Sequence, residues 1–142
     1  MKVALITDTH FGARSENLNF NEYFFDFYEN VFFPYLKENN ITTVIHLGDV
    51  MDRRKYVSYR IAKDFRERFV NQFDGIDFHM LVGNHDTFYK NTNEVNSLQE
   101  LVDGRHDNIT IYPKATEVDF DGCKILFVPW INSENMSDTM KL

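Results

Sequence analysis

Three short stretches of the chain carry donor atoms that suit a divalent cation. Asp8 and His10 stand one residue apart in Thr7-Asp8-Thr9-His10-Phe11-Gly12. Asp49 and Asp52 lie in Gly48-Asp49-Val50-Met51-Asp52, and Asn84, His85 and Asp86 follow Val82-Gly83. Carboxylates, imidazoles and a carboxamide oxygen are ligands for first-row divalent ions. With Cys123 as the single cysteine, a structural zinc site built on thiolates is excluded. A carboxylate such as Asp49 can bridge two ions and hold them roughly 3.5 to 4 Å apart, the separation used to activate water and clamp a phosphoryl group.

Each cluster comes just after an apolar run, which suggests what positions it. Lys2 to Thr7, Thr42 to Leu47 and Phe78 to Val82 are mostly aliphatic or β-branched without clean alternation, as expected for strands covered on both faces of a parallel sheet. Between the first two, Asn19 or Asn21 would cap a helix running to about Glu38. Its Tyr23, Phe24, Phe27, Tyr28, Val31, Phe32, Tyr35 and Leu36 would form one stripe, serving as core or a dimer surface, and Pro34 would kink or restart it. A second helix fits Val57 to about Phe73, with Ile61, Phe65, Phe69 and Phe73 as its core stripe. Thr92 or Asn93 would cap a third through Val102.

Strand and helix alternating in this way predict an α/β fold with right-handed crossovers. Short strands follow at Ile109 to Tyr112, Thr116 to Phe120 and Lys124 to Trp130, with Asp121-Gly122 as a hairpin turn. Ser133 to Leu142 reads as the first turns of another helix. In a parallel α/β sheet ligands bind beyond the carboxyl ends of the strands, which would gather Asp8, His10, Asp49, Asn84 and His85. His46, inside the second strand, reads as a hydrogen-bonded core residue. His79 and His106 read as structural or exposed, and Cys123 as buried.

Length and composition fit one domain: 142 residues, 43% hydrophobic. A formal charge of -7 argues against indiscriminate nucleic-acid binding. Locally the sign reverses, because Arg53 to Arg68 holds seven basic and two acidic residues, a net of +5. Lone Cys123, the lack of a signal-like amino terminus and the absence of any membrane-length apolar run point to a cytoplasmic protein.

Asp8-x-His10, Gly48-Asp49-x-x-Asp52 and Gly83-Asn84-His85-Asp86, in this order and each after a strand, resemble the calcineurin-like metallophosphoesterase superfamily. Within it, Asp8-Thr9-His10-Phe11-Gly12, Gly48-Asp49-Val50-Met51-Asp52 and the basic helix are similar to SbcD-type double-strand-break repair nuclease subunits, especially those of T-even phages. The resemblance implies the amino-terminal part of a two-sheet sandwich flanked by helices, beginning as a parallel βαβαβ unit followed by a hairpin. It implies that Asp8 and His10 ligate a first ion, Asp49 bridges two, and Asn84 ligates the second, with manganese as the metal. His85 would orient the phosphate and protonate the departing oxygen. Asp52 and Asp86 would stand behind the ligands, Asp86 either holding the His85 ring or bracing the loop. Arg53, Arg54 and Lys55 are expected at phosphates of DNA.

A homodimer, an SbcC-type ATPase partner and a role in DNA recombination and repair, in the host cytoplasm if phage-encoded, are further implications. The family's later lone histidine and its Gly-His-x-His motif do not occur, since no histidine follows His106. Residues 1–142 are therefore expected to be the amino-terminal portion of a longer nuclease domain, with little or no activity alone. The same loops would also serve a phosphomonoesterase or a cyclic-nucleotide phosphodiesterase. From another class, the alternative is a non-catalytic binding or dimerisation module with a vestigial metal half-site.

Overall fold

The computed structural model describes residues 1–102 and 104–142. Strands β1 (Val3–Ile6), β2 (Thr43–His46), β3 (Asp77–Leu81) and β4 (Ile109–Tyr112) form one parallel sheet in the order β1-β2-β3-β4. Leu5 pairs with Ile45 and Ile45 with His79, so the loops after the first three strands emerge along one edge. The expected α/β fold is observed, and Ile109–Tyr112 extends the parallel sheet.

Crossovers of one hand between successive neighbours put the helices that connect the four strands on the same face. Helix α1 (Leu18–Phe27) runs through a wide π-turn, Tyr28–Phe32, into α2 (Phe33–Glu38). The π-turn absorbs Pro34, which has no N–H to give and whose ring would crowd the carbonyl four residues back. Helix α3 (Tyr59–Arg68) continues as a 3₁₀ turn, Val70–Phe73, and α4 is Ser97–Val102. Phe25, Tyr28, Phe32, Leu36, Ile61, Phe65, Phe69 and Phe73 pack with Val44, Phe78 and Met80 into one core. The other sheet face presents Ile45, Leu81 and Tyr112 to Phe120 and Phe127 of the antiparallel hairpin β5 (Thr116–Phe120) and β6 (Cys123–Phe127). Helix α5 is Met136–Met140.

Several local expectations are corrected. Asn17, Ser58 and Asn96 accept from the backbone three residues on and cap α1, α3 and α4, each side-chain oxygen satisfying a first-turn N–H that has no partner within the helix. Asn21 is instead buried, accepting from Gly12 N–H. The aromatic stripe divides: Tyr28, Phe32 and Leu36 turn inward, joined by Phe25 from outside the expected stripe, while Tyr23, Phe27, Val31 and Tyr35 form an exposed row. Cys123 is exposed, since it flanks the Asp121-Gly122 turn at the tip of the hairpin. Leu5 is 62% exposed, because the hairpin does not cover its side of β1.

Candidate metal centre

Past their strands, the loops after β1 and β2 continue to pair. Asp8 N–H donates to Gly48 O at 3.1 Å, His10 N–H to Asp49 O at 3.1 Å and Phe11 N–H to Val50 O at 2.9 Å. Asp8, His10 and Asp49 all take left-handed backbone, with φ of 55, 43 and 55°. That conformation costs a non-glycine residue of order 1–2 kcal/mol, and the paired loops hold it in place. The loops after β2 and β3 meet at glycines. A Cβ on Gly83 would lie 2.2 Å from Asp49 N, and one on Gly48 would lie 2.9 Å from Gly83 Cα. Only backbone without side chains lets Asp49 and Asn84 come this close.

Two buried side chains brace these loops. His46, fully buried, accepts Gly48 N–H at Nδ1 (3.1 Å), so its Nε2 carries the proton and donates to Thr9 Oγ1 (3.0 Å), whose hydroxyl donates to Val50 O. Burial pushes His46 down to about 3, and it stays neutral. Asp86, also fully buried, accepts Met51 N–H and Gly83 N–H, each at 2.9 Å. Burial pushes its carboxyl up to about 6, against those two donors.

The open edge gathers the donors. His10 Nε2 lies 3.2 Å from Asp8 Oδ1 and 3.8 Å from Asp49 Oδ2, and one ligand atom from each of the three falls within 4.8 Å of the others. A hydrogen bond from Thr7 Oγ1 (2.6 Å) is the main reason the Asp8 carboxyl sits below its ordinary range. His10 Nδ1 lies 3.2 Å from Asp52 Oδ1, off the axis of an aligned hydrogen bond, and is otherwise without a partner. A carboxylate behind the far nitrogen of an imidazole is the arrangement that orients a metal-ligating histidine. Two carboxylates gathered around His10 Nε2, which is itself in hydrogen-bond contact with Asp8, fit a first-row divalent ion.

His85 joins this group by its backbone and its ring. Its N–H donates to Asp49 Oδ1 at 2.8 Å, and its ring packs edge-on to His10 at 4.9 Å. Nδ1 donates to the carbonyl of Asp52 at 2.7 Å, which leaves Nε2 free. Of the two expected roles of Asp86 the geometry shows the brace, and the Asp52 carbonyl holds the His85 ring. Asn84 Oδ1 accepts from the Arg54 guanidinium, which also reaches Thr87 Oγ1 at 3.5 Å.

The cationic stretch does not act as one face. Arg60 pairs with Asp64, Arg66 with Glu67, and Arg68 with both Glu22 and Glu29 at 2.6 Å. Arg53, against Tyr56 and Glu16, Arg54, on Asn84, and Lys55, over the Phe88 ring, remain beside the site. Sequence reasoning missed Thr7, Thr9 and Arg54 as supports of the ligands. Threonines next to Asp8 were the available signal. It also missed the segment Val128 to Ile131, which walls a cleft of about 490 Å³ containing Asp8, Asp49 and Asn84.

Comparison with known proteins agrees with this geometry. The family model described as calcineurin-like phosphoesterase matches residues 1–137. Exonuclease subunit 1 of Enterobacteria phage T4 is 35% identical over 143 residues, which cover 99% of this chain and 41% of that protein. The chain thus spans about two fifths of the length of this relative. No helix among the described residues is long and apolar enough to cross a membrane.

Proposed function

The chain belongs to the calcineurin-like phosphoesterase family, and on that premise we propose that it carries the metal-binding loops of a DNA-cleaving phosphodiesterase. The observation that carries this reading is the convergence of Asp8, His10 and Asp49 at the strand ends, with a free His85 Nε2 beside them. The family uses divalent metals. Here Asp8, His10, Asp49 and Asn84 would hold two ions, manganese in our reading, with Asp49 shared. Bound ions would supply Lewis acidity and a nucleophile from water at neutral pH.

The chain's own residues do the rest. His85, its ring held by the Asp52 carbonyl through Nδ1–H, orients the scissile phosphate by donating Nε2–H when the ring is protonated. When protonated it delivers a proton to the departing sugar oxygen. Asp52 orients His10. Arg53, Arg54 and Lys55 contact flanking phosphates, offsetting the repulsion between an acidic protein and DNA.

A two-ion centre needs more donors than these four residues. We assign the others to residues elsewhere in the assembled protein, and residues 1–142 to the amino-terminal portion of the nuclease domain, with little or no turnover alone. The relative named as an exonuclease subunit supports a nuclease role beside another subunit; to this we add, as our own reading, DNA recombination and double-strand-break repair in the host cytoplasm with an SbcC-type ATPase as that partner. The exposed row Tyr23, Phe27, Val31 and Tyr35 suits a second copy in a homodimer.

Salt separates this reading from a small-substrate phosphatase. For the full-length protein, manganese-dependent hydrolysis of DNA, with DNA affinity that falls steeply as salt rises, is expected. Turnover of p-nitrophenyl phosphate without DNA affinity would overturn it.

A further inference from the structure

The cleft that contains Asp8, Asp49 and Asn84 has an apolar opposite wall that metal binding does not explain. Val128, Trp130 and Ile131 line it together with Leu47, and all four remain more than a third exposed. Their backbone is firmly held. Trp130 N–H donates to Val82 O at 2.8 Å, just ahead of Gly83 and Asn84. The Trp130 carbonyl accepts from Asn93 Nδ2 at 2.8 Å and from Asn135 Nδ2 at 3.0 Å. Asn93 is itself buried and accepts from Asn132 Nδ2 at 2.9 Å. An amide network therefore fixes the backbone of Trp130, while the residue lines the cleft and stays 40% exposed. An aromatic side chain carried on a fixed backbone loses less freedom on binding than one on a mobile loop, which favours stacking.

We propose that Trp130 is the stacking platform for the nucleobase next to the scissile phosphate. A phosphodiester whose oxygens reach Asp8, Asp49 and Asn84 places its attached nucleoside in the same cleft. The wall offers it an aromatic face and aliphatic sides and no pattern of hydrogen-bonding groups to read the base. The ligand is accordingly an unpaired nucleotide at a strand end or in a single strand, taken without strong base preference. A paired and stacked base would have both faces covered. This inference rests on the nuclease reading and adds to it a base subsite.

Trp130 is the only tryptophan in the chain, so its emission reports the subsite directly. With the protein in chelator, so that nothing is cleaved, oligo(dT) of about a dozen nucleotides should quench Trp130 emission and protect it from acrylamide. Trp130→Leu should weaken oligo(dT) binding, read by anisotropy of a labelled strand, by about 5- to 150-fold, the range for loss of one base stack. Trp130→Phe should recover most of the affinity. Blunt duplex of equal length should depend on Trp130 far less.

Emission unchanged by oligo(dT), equal affinity in Trp130→Leu, or an indole that acrylamide cannot reach because another protein segment covers it would each overturn the proposal. Failure of the underlying reading looks different. In the full-length protein manganese-dependent DNA hydrolysis would then be absent, whereas full-length hydrolysis that persists unaltered in Trp130→Leu removes the subsite alone.

Discussion

His85 Nδ1 lies 2.7 Å from the backbone carbonyl of Asp52, while the Asp52 carboxylate lies 3.2 Å from Nδ1 of His10. One residue on the loop after β2 thus orients two imidazoles by two different groups, and mutation can separate them. Asp52→Ala removes the carboxylate and leaves the carbonyl, so only His10 loses its support. Manganese affinity, followed by isothermal titration, should fall about 10- to 100-fold, the usual effect of deleting a carboxylate behind a metal-ligating histidine. Unchanged affinity would show that the pair is incidental.

His85→Gln tests the other arm. The side chain touches no other proposed ligand except by ring packing against His10, and its backbone N–H to Asp49 survives the change. Metal binding should therefore persist. In a form of the protein with measurable DNA hydrolysis, turnover should drop about 10²- to 10⁴-fold, the range for losing a positioned acid or base. Equal loss of metal and activity would make His85 a ligand.

Gly83→Ala should be among the most damaging single-methyl changes in the chain. The added Cβ would meet the backbone Asp49 N at 2.2 Å and the side-chain Asp49 Oδ1 at 2.5 Å, beside loops braced by Asp86 and His46. Relief requires the loops after β2 and β3 to part, which separates Asp49 from Asn84. We expect about 2 kcal/mol or more of destabilisation, in the upper part of the range for strained or overpacked sites, and loss of metal binding. Urea unfolding with a parallel manganese titration checks both. Wild-type stability would mean the loops are not in contact.

Much of this was legible in the sequence. The apolar runs before Asp8, Asp49 and Asn84 dictated strands, and their parallel order dictated which ends would meet. Contacts that depend on exact register were not legible. The exposed row through Phe27 and the buried row through Tyr28 lie on adjacent helix faces about 100° apart, and a π-turn at Tyr28–Phe32 shifts their register beyond it, which residue spacing averages over. Nor could spacing reveal that Asp86 points away from the His85 ring toward Met51 and Gly83. Adjacent residues in a 3₁₀ turn diverge by about 120°, so neighbours in sequence here serve different partners. Trp130 escaped notice because its partner Val82 is far away in the chain and the bond uses backbone alone.

His46 predicts a specific response to acid. Its folded pKa is depressed from 6.5 to about 3 by burial, so as pH falls through 6.5 the unfolded chain takes up a proton that the native state refuses. Stability from this residue is therefore fully present above about pH 6.5 and declines toward about pH 3. Between pH 7 and pH 4.5 the loss should be about 3 kcal/mol. Asp86, with its carboxyl raised to about 6, pulls in the opposite direction, but equally in wild type and in a His46 variant. His46→Gln keeps one donor and one acceptor for Thr9 and Gly48 without a titrating group. Urea unfolding at both pH values should show the wild type losing about 3 kcal/mol more than His46→Gln. Parallel pH profiles for the two proteins would mean that His46 is solvated or protonated in the native state.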